Sequence, residues 1–120
     1  MRLLAAIALF WPATAMAQDW ATRSGDVALS DTQMQVQVIG QALTFYDNGV
    51  SRYVEDGSYS YEYDGGATAF GSYTLSENSV LCTVFQNGFE RCDMIVRNGE
   101  RLVVITEKGD RYPIRDSSPE

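Results

Sequence analysis

The chain contains no histidine. That absence excludes Ser-His-Asp and Cys-His catalysis, and it removes the commonest ligand of zinc and haem. Cysteine is scarce, with two in 120 residues. If both thiols are oxidised, neither imidazole nor thiolate remains for a tight transition-metal site, and no metal or other cofactor is expected. Basic residues are also few: nine Lys and Arg stand against sixteen Asp and Glu, a net charge of −7. Nucleic acid and anionic lipid, which are bound through cationic contacts, are therefore poor partners. Long apolar runs are missing too. The longest, Leu3 to Trp11, is about half the roughly 20 residues of a spanning helix.

That short run carries a different message. Arg2 precedes it and Ala15-Met16-Ala17 follows it, which is the order of a secretory signal with a small-residue cleavage site. No Cys follows the site, which disfavours a lipid anchor. The expectation is a signal peptide over residues 1–17, and a periplasmic or secreted product starting at Gln18 with no membrane span. Without Arg2 the charge becomes −8, which serves solubility or attracts a basic partner. In an oxidising compartment, two cysteines read as one disulfide.

The remaining 103 residues suit one domain. Residues 18–30 show no periodicity and are expected as an irregular lead-in to a single β domain over 31–115, with 116–120 as a polar tail. At the junction, Ser30 and Gln33 match a capping box, in which each side chain satisfies the other residue's free N–H. A short helix over 31–39 would place Leu29, Met34 and Val38 on one face, with Gly40 as the stop. Met34, Val36 and Val38 also alternate with glutamines, so a strand competes with the helix.

From Ala42 onward the pattern is one of short strands cut by tight turns. The segments are Leu43–Asp47, Val50–Glu55, Ser58–Asp64, Thr68–Leu75, Ser79–Phe85, Phe89–Arg97, Glu100–Glu107 and Arg111–Arg115. Asn48-Gly49, Asp56-Gly57, Gly65-Gly66, Asn87-Gly88 and Asn98-Gly99 are among the punctuating dipeptides, and they supply the positive φ that hairpins need. Turns every 8–12 residues leave no room for crossover helices, so the connections are antiparallel. The fold class is all-β: an up-and-down meander of about eight strands, forming a small barrel or strongly coiled sheet with the helix over one opening. A membrane barrel shares this topology but needs longer strands with a lipid-facing apolar band.

Tyr59, Tyr61 and Tyr63 alternate with polar residues and share a face, with Tyr53 and Tyr73 able to extend the row. They form either a packed aromatic core or a wall for a flat ligand, and they are the candidate ligand-binding residues. Glu55-Asp56 and Glu62-Asp64 invite a glycosidase pair or a calcium loop. Neither fits, because a sugar cleft needs a larger chain and the calcium-loop spacing is absent; turn and surface roles are expected. No catalytic residue is assigned. Thr44–Arg52 echoes Thr83–Arg91 around Asn-Gly, which puts Arg52 and Arg91 in equivalent places, pairing with cross-strand acids or lying over aromatic rings. Gly71 reads as a bulge or bend.

The segment from Gln41 to Arg115 resembles short, uncharacterised exported proteins of alphaproteobacteria. The resemblance rests on Phe70-Gly71-Ser72-Tyr73, Cys82, Asn87 through Asp93, and Glu107 through Arg111. It implies an exported compartment and assigns no activity. The functional expectation is a non-enzymatic periplasmic domain that binds a small molecule or a protein partner. Alternatives are an acidic inhibitor of a basic cell-wall enzyme such as lysozyme, and a small carboxylate-dependent hydrolase.

The disulfide can be placed by geometry. A two-residue loop at Asn87-Gly88 would set Cys82 opposite Asp93 and send the two sulfurs to opposite faces. A three-residue loop, Gln86 to Gly88 with Gly88 at positive φ, sets Cys82 directly opposite Cys92 on a non-hydrogen-bonded pair. There the Cα atoms approach to about 4.5 Å, which a disulfide accepts. A Cys82–Cys92 bridge therefore selects the longer loop. It also puts Val80, Val84, Met94 and Val96 on the cysteine face, with Glu90 as the polar exception.

Overall fold

The computed structural model describes residues 19–120. The expected signal peptide and the start at Gln18 lie outside the described residues. Within them, a strand β1 (Asp26–Ala28) and a helix α1 (Asp31–Gln37) precede eight strands. These are β2 (Gln41–Phe45), β3 (Val50–Tyr53), β4 (Ser58–Glu62), β5 (Thr68–Ser76), β6 (Val80–Phe85), β7 (Glu90–Asn98), β8 (Arg101–Thr106) and β9 (Arg111–Pro119). Strands β2 to β9 pair antiparallel in sequence order, and β9 returns to pair with β2. The result is a closed eight-strand barrel, which leaves the ring without an open edge.

Local turn chemistry repeats around the ring. The hairpins at Phe45–Gly49, Val54–Ser58, Tyr63–Ala67, Phe85–Phe89 and Thr106–Asp110 each close with the same pair of backbone hydrogen bonds around three loop residues. In the β6–β7 turn Gly88 takes the left-handed position at φ 86°, and Asn87 Oδ1 accepts from the Phe89 amide at 3.0 Å. The three-residue loop brings Cys82 opposite Cys92. The two are bridged, with Cα atoms 4.0 Å apart.

The β2–β3 turn corrects the sequence echo. There Asn48, not Gly49, takes the left-handed position at φ 68°, and Phe45 pairs with Gly49. The structural partner of Phe85 is therefore Phe45, and the place of Arg91 is taken by Ser51. Arg52 sits one step further on and reaches Glu62 at 3.0 Å from a half-exposed position, while Arg91 turns inward. Gly71 is not a bulge either. It keeps continuous register with Tyr59 on one side and Phe85 on the other, and the register shift lies instead between Thr44 and Phe45 against β9.

Helix α1 is seven residues long and forms as its capping box dictates. Gln33 N donates to Ser30 Oγ and Ser30 N donates to Gln33 Oε1, at 3.2 and 2.8 Å. Leu29, Met34 and Val38 are buried in one cluster with Leu43, Leu81, Ile95 and Leu102, so the helix stops one end of the barrel. Arg97 on β7 donates to the Gln37 side chain at the helix end.

Two boundaries differ from expectation. The lead-in is not wholly irregular, because Asp26–Ala28 pairs with Val96–Asn98 of β7, beyond the point where β6 ends. Trp20 then covers an outer apolar cluster of Met94, Val96, Val103 and Ile105. The polar tail is also strand: Asp116, Ser117, Ser118 and Pro119 pair with Thr44, Leu43, Ala42 and Gln41. A ladder is made by backbone groups, so exposed polar side chains do not prevent it.

Candidate functional site

At the end away from the helix, the barrel opens into a cavity of about 590 Å³. Strand alternation sends Tyr59, Tyr61 and Tyr63 to the inner face, but to different depths. Tyr59 is 1% exposed and belongs to the packed core. Its hydroxyl lies 3.0 Å from Ser51 Oγ, and its ring centroid is 4.7 Å from that of Tyr53. Tyr73 extends this stack, edge-on to Tyr53 at 5.2 Å. Tyr61 is half-buried and Tyr63 is 54% exposed. They meet edge to face at 4.8 Å, and both line the cavity. The row therefore divides: Tyr59 holds the core together, while Tyr61 and Tyr63 form wall and rim.

Phe45, Tyr46, Phe85 and Tyr112 complete the aromatic wall. The floor is made by buried residues, among them Leu43, Ser51, Tyr53, Val104 and Asp93. Asp93 is the unusual member. Its side chain is 2% exposed and receives Arg91 Nε on Oδ2 at 2.9 Å. Its Oδ1 is buried with no hydrogen-bond partner. Arg91 also lies over the Phe85 ring, 5.8 Å from the centroid.

The electrostatics follow from this burial. Loss of water pushes the Asp93 carboxyl above its ordinary value, although Arg91 pulls in the opposite direction. Burial works against the Arg91 charge, but Asp93 and the neighbouring tyrosines more than offset it and hold the guanidinium protonated. Tyr53 is driven well above the ordinary phenol value by burial and then by Tyr59. Burial also raises Tyr59 and Tyr61. At neutral pH these tyrosines are uncharged, and the floor holds the Arg91–Asp93 pair with one buried carboxylate oxygen that no donor meets. Asp47 adds a further carboxylate at the mouth.

The other acidic candidates are kept apart. Asp56 accepts from the Ser58 amide and hydroxyl in its own turn, and Glu62 is occupied by Arg52. Among the described residues, no three Cys, Asp or Glu side chains gather where they could share a metal ion. A second hollow of about 500 Å³ lies beside Arg97, Arg101 and Arg115. There Glu100 and Asp116 offset the charge, and Arg115 pairs with Asp116 at 2.9 Å.

Asp93, Phe45, Tyr46, Phe85 and Tyr112 are not singled out by the sequence as site residues. For Asp93 a signal does exist. Once Cys82 and Cys92 share the outer face, alternation turns both Arg91 and Asp93 inward. No known protein family, curated protein or solved structure matches this chain.

Proposed function

We propose that this chain is an exported, non-enzymatic binding protein that holds a small molecule in the open end of its barrel. One observation carries the reading: an aromatic-walled cavity of about 590 Å³ whose floor holds the Arg91–Asp93 pair with an unsatisfied oxygen. Ligand sites combine these elements, a concave apolar enclosure of roughly 300–1,000 Å³ and a few placed polar groups. The Cys82–Cys92 bridge is compatible with an oxidising compartment, and so with the export signal read in residues 1–17.

Thermal unfolding of the disulfide-bonded protein against a panel of small metabolites tests this. A ligand at a hundred times its Kd adds about 2.7 kcal/mol and raises the unfolding midpoint. The expected result is a stabilising compound whose effect is weakened by Tyr61→Ala or Tyr63→Ala and retained in Tyr59→Phe. A panel without any stabilising compound, or stabilisation indifferent to Tyr61 and Tyr63, would remove the reading.

A further inference from the structure

The cavity's charge and its unsatisfied oxygen narrow the ligand class. A buried carboxylate oxygen with no donor costs free energy, and more when it is charged. Oδ1 is shielded from solvent in the unliganded chain, so a ligand recovers that cost by bringing an N–H or O–H to it as the carboxylate turns toward the cavity. Three acidic or basic side chains line the cavity: Asp47, Arg91 and Asp93. Arg91 and Asp93 offset each other at 2.9 Å, which leaves one negative charge in excess at the mouth. The walls add aromatic faces, whose quadrupoles attract cations and give nothing to anions. The whole chain, at −7, draws cations toward it. Charge excess, aromatic faces and an unmet acceptor favour the same chemistry.

We propose that the cavity takes a protonated organic amine, its ammonium directed to Asp93 Oδ1 and its apolar body against the Tyr61 and Tyr63 rings. This rests on the small-molecule reading above and specifies its ligand. A neutral alcohol could satisfy Oδ1 but would gain little from the excess charge or the ring faces. A carboxylate could approach Arg91, but Asp93 already offsets that charge at 2.9 Å, and Asp47 would meet it with like charge.

Three probes of similar size separate these cases: phenethylamine, 2-phenylethanol and 3-phenylpropionate, titrated into the disulfide-bonded protein and followed by amide NMR. The expected order puts the amine first, about tenfold tighter than the alcohol, with shifts at residues 61, 63 and 93. Its affinity should fall as salt is raised, because the rim charge is screened. Asp93→Asn should erase the preference for the amine. That variant leaves Arg91 unpaired and can fail to fold, so Asp47→Asn supplies a second arm. Asn can keep the acceptor for the Gly49 amide that Asp47 Oδ1 provides at 2.9 Å, while the charge is lost. The amine should weaken roughly two- to threefold and the alcohol should not change. If the alcohol or the carboxylate binds as tightly as the amine, the amine assignment is overturned and the cavity remains a ligand site. If none of the three binds at the cavity, both the amine assignment and the small-molecule reading fall.

Discussion

Asp26 and Arg111, 85 positions apart in the chain, meet through two hydrogen bonds, Nη1 to Oδ2 at 2.7 Å and Nη2 to Oδ1 at 2.9 Å. The Asp26 side chain is 1% exposed and that of Arg111 is 13% exposed. Asn98 and the Arg23 amide also donate to the same carboxylate. The pair straps the lead-in across the outside of β7 and β8, on the face where Trp20 covers the apolar cluster.

Removing one partner of such a buried pair strands the other charge. Asp26→Asn should cost about 3 kcal/mol in urea unfolding at neutral pH. The Arg111 hydrogen bonds hold the Asp26 carboxyl well below the usual carboxylate range. Its folded pKa is below its unfolded one, so its stabilisation is complete above about pH 4 and fades as pH falls further. The gap between wild type and Asp26→Asn should therefore shrink below that pH. A gap that stays constant down to pH 2 would show that Asp26 is not shifted.

The disulfide stabilises without touching the cavity. Cys82 and Cys92 lie on the outer face, and their ring of 11 residues contributes about 2–3 kcal/mol in the chain-entropy model. Replacing both by Ser should lower stability by that amount and leave ligand affinity unchanged. A loss of affinity in a folded double variant would mean that the bridge also shapes the mouth.

Two glycines should respond differently to alanine. A Cβ on Gly71 would lie 2.4 Å from the Val84 carbonyl oxygen and 3.0 Å from Phe85 Cα. Those are backbone atoms of the paired strand and cannot move aside, so Gly71→Ala should cost about 1–3 kcal/mol or more. A Cβ on Gly49 would fall 2.0 Å from the Tyr61 hydroxyl, the far end of a side chain that can swing away. Gly49→Ala should keep more of the stability but displace Tyr61, and its signature is altered ligand affinity. Equal stability loss in the two variants would contradict this.

Tyr59→Phe separates core from cavity. It leaves Ser51 Oγ without the tyrosine hydroxyl and should cost about 1 kcal/mol, with little effect on binding. Tyr63→Ala should do the reverse, because that ring is more than half exposed at the rim. A calorimetric scan with a binding titration for each variant checks both.

Much of the fold was legible because its instructions are local. The α1 cap needs only Ser30 and Gln33, three residues apart. Each hairpin needs only a residue tolerant of positive φ in its turn, and the period of two then assigns faces for the length of a strand. The Cys82–Cys92 register followed from those two rules once the cysteines were taken as bridged, because only the three-residue loop sets them opposite each other. The aligned Asn-Gly pairs at 48–49 and 87–88 misled for the same reason. Asn also tolerates the left-handed conformation, so the dipeptide alone did not say which residue would occupy it, and a slip of one turned Arg91 inward and Arg52 outward.

What the sequence by itself determined was therefore the eight strands of the meander, their order, the turn sites and the disulfide. Closure, the docking of β1 and the depth of each inner residue were decided only by the tertiary structure. Nothing in Asp116-Ser117-Ser118 marks a strand; they form one because β2 presents unpaired backbone groups to them. Nothing local to Asp93 says that it is buried, because its burial depends on strands meeting around it from both ends of the chain. The same holds for the cavity: its volume is what remains when the helix fills one end of the ring and the aromatic rings at the other cannot reach its centre.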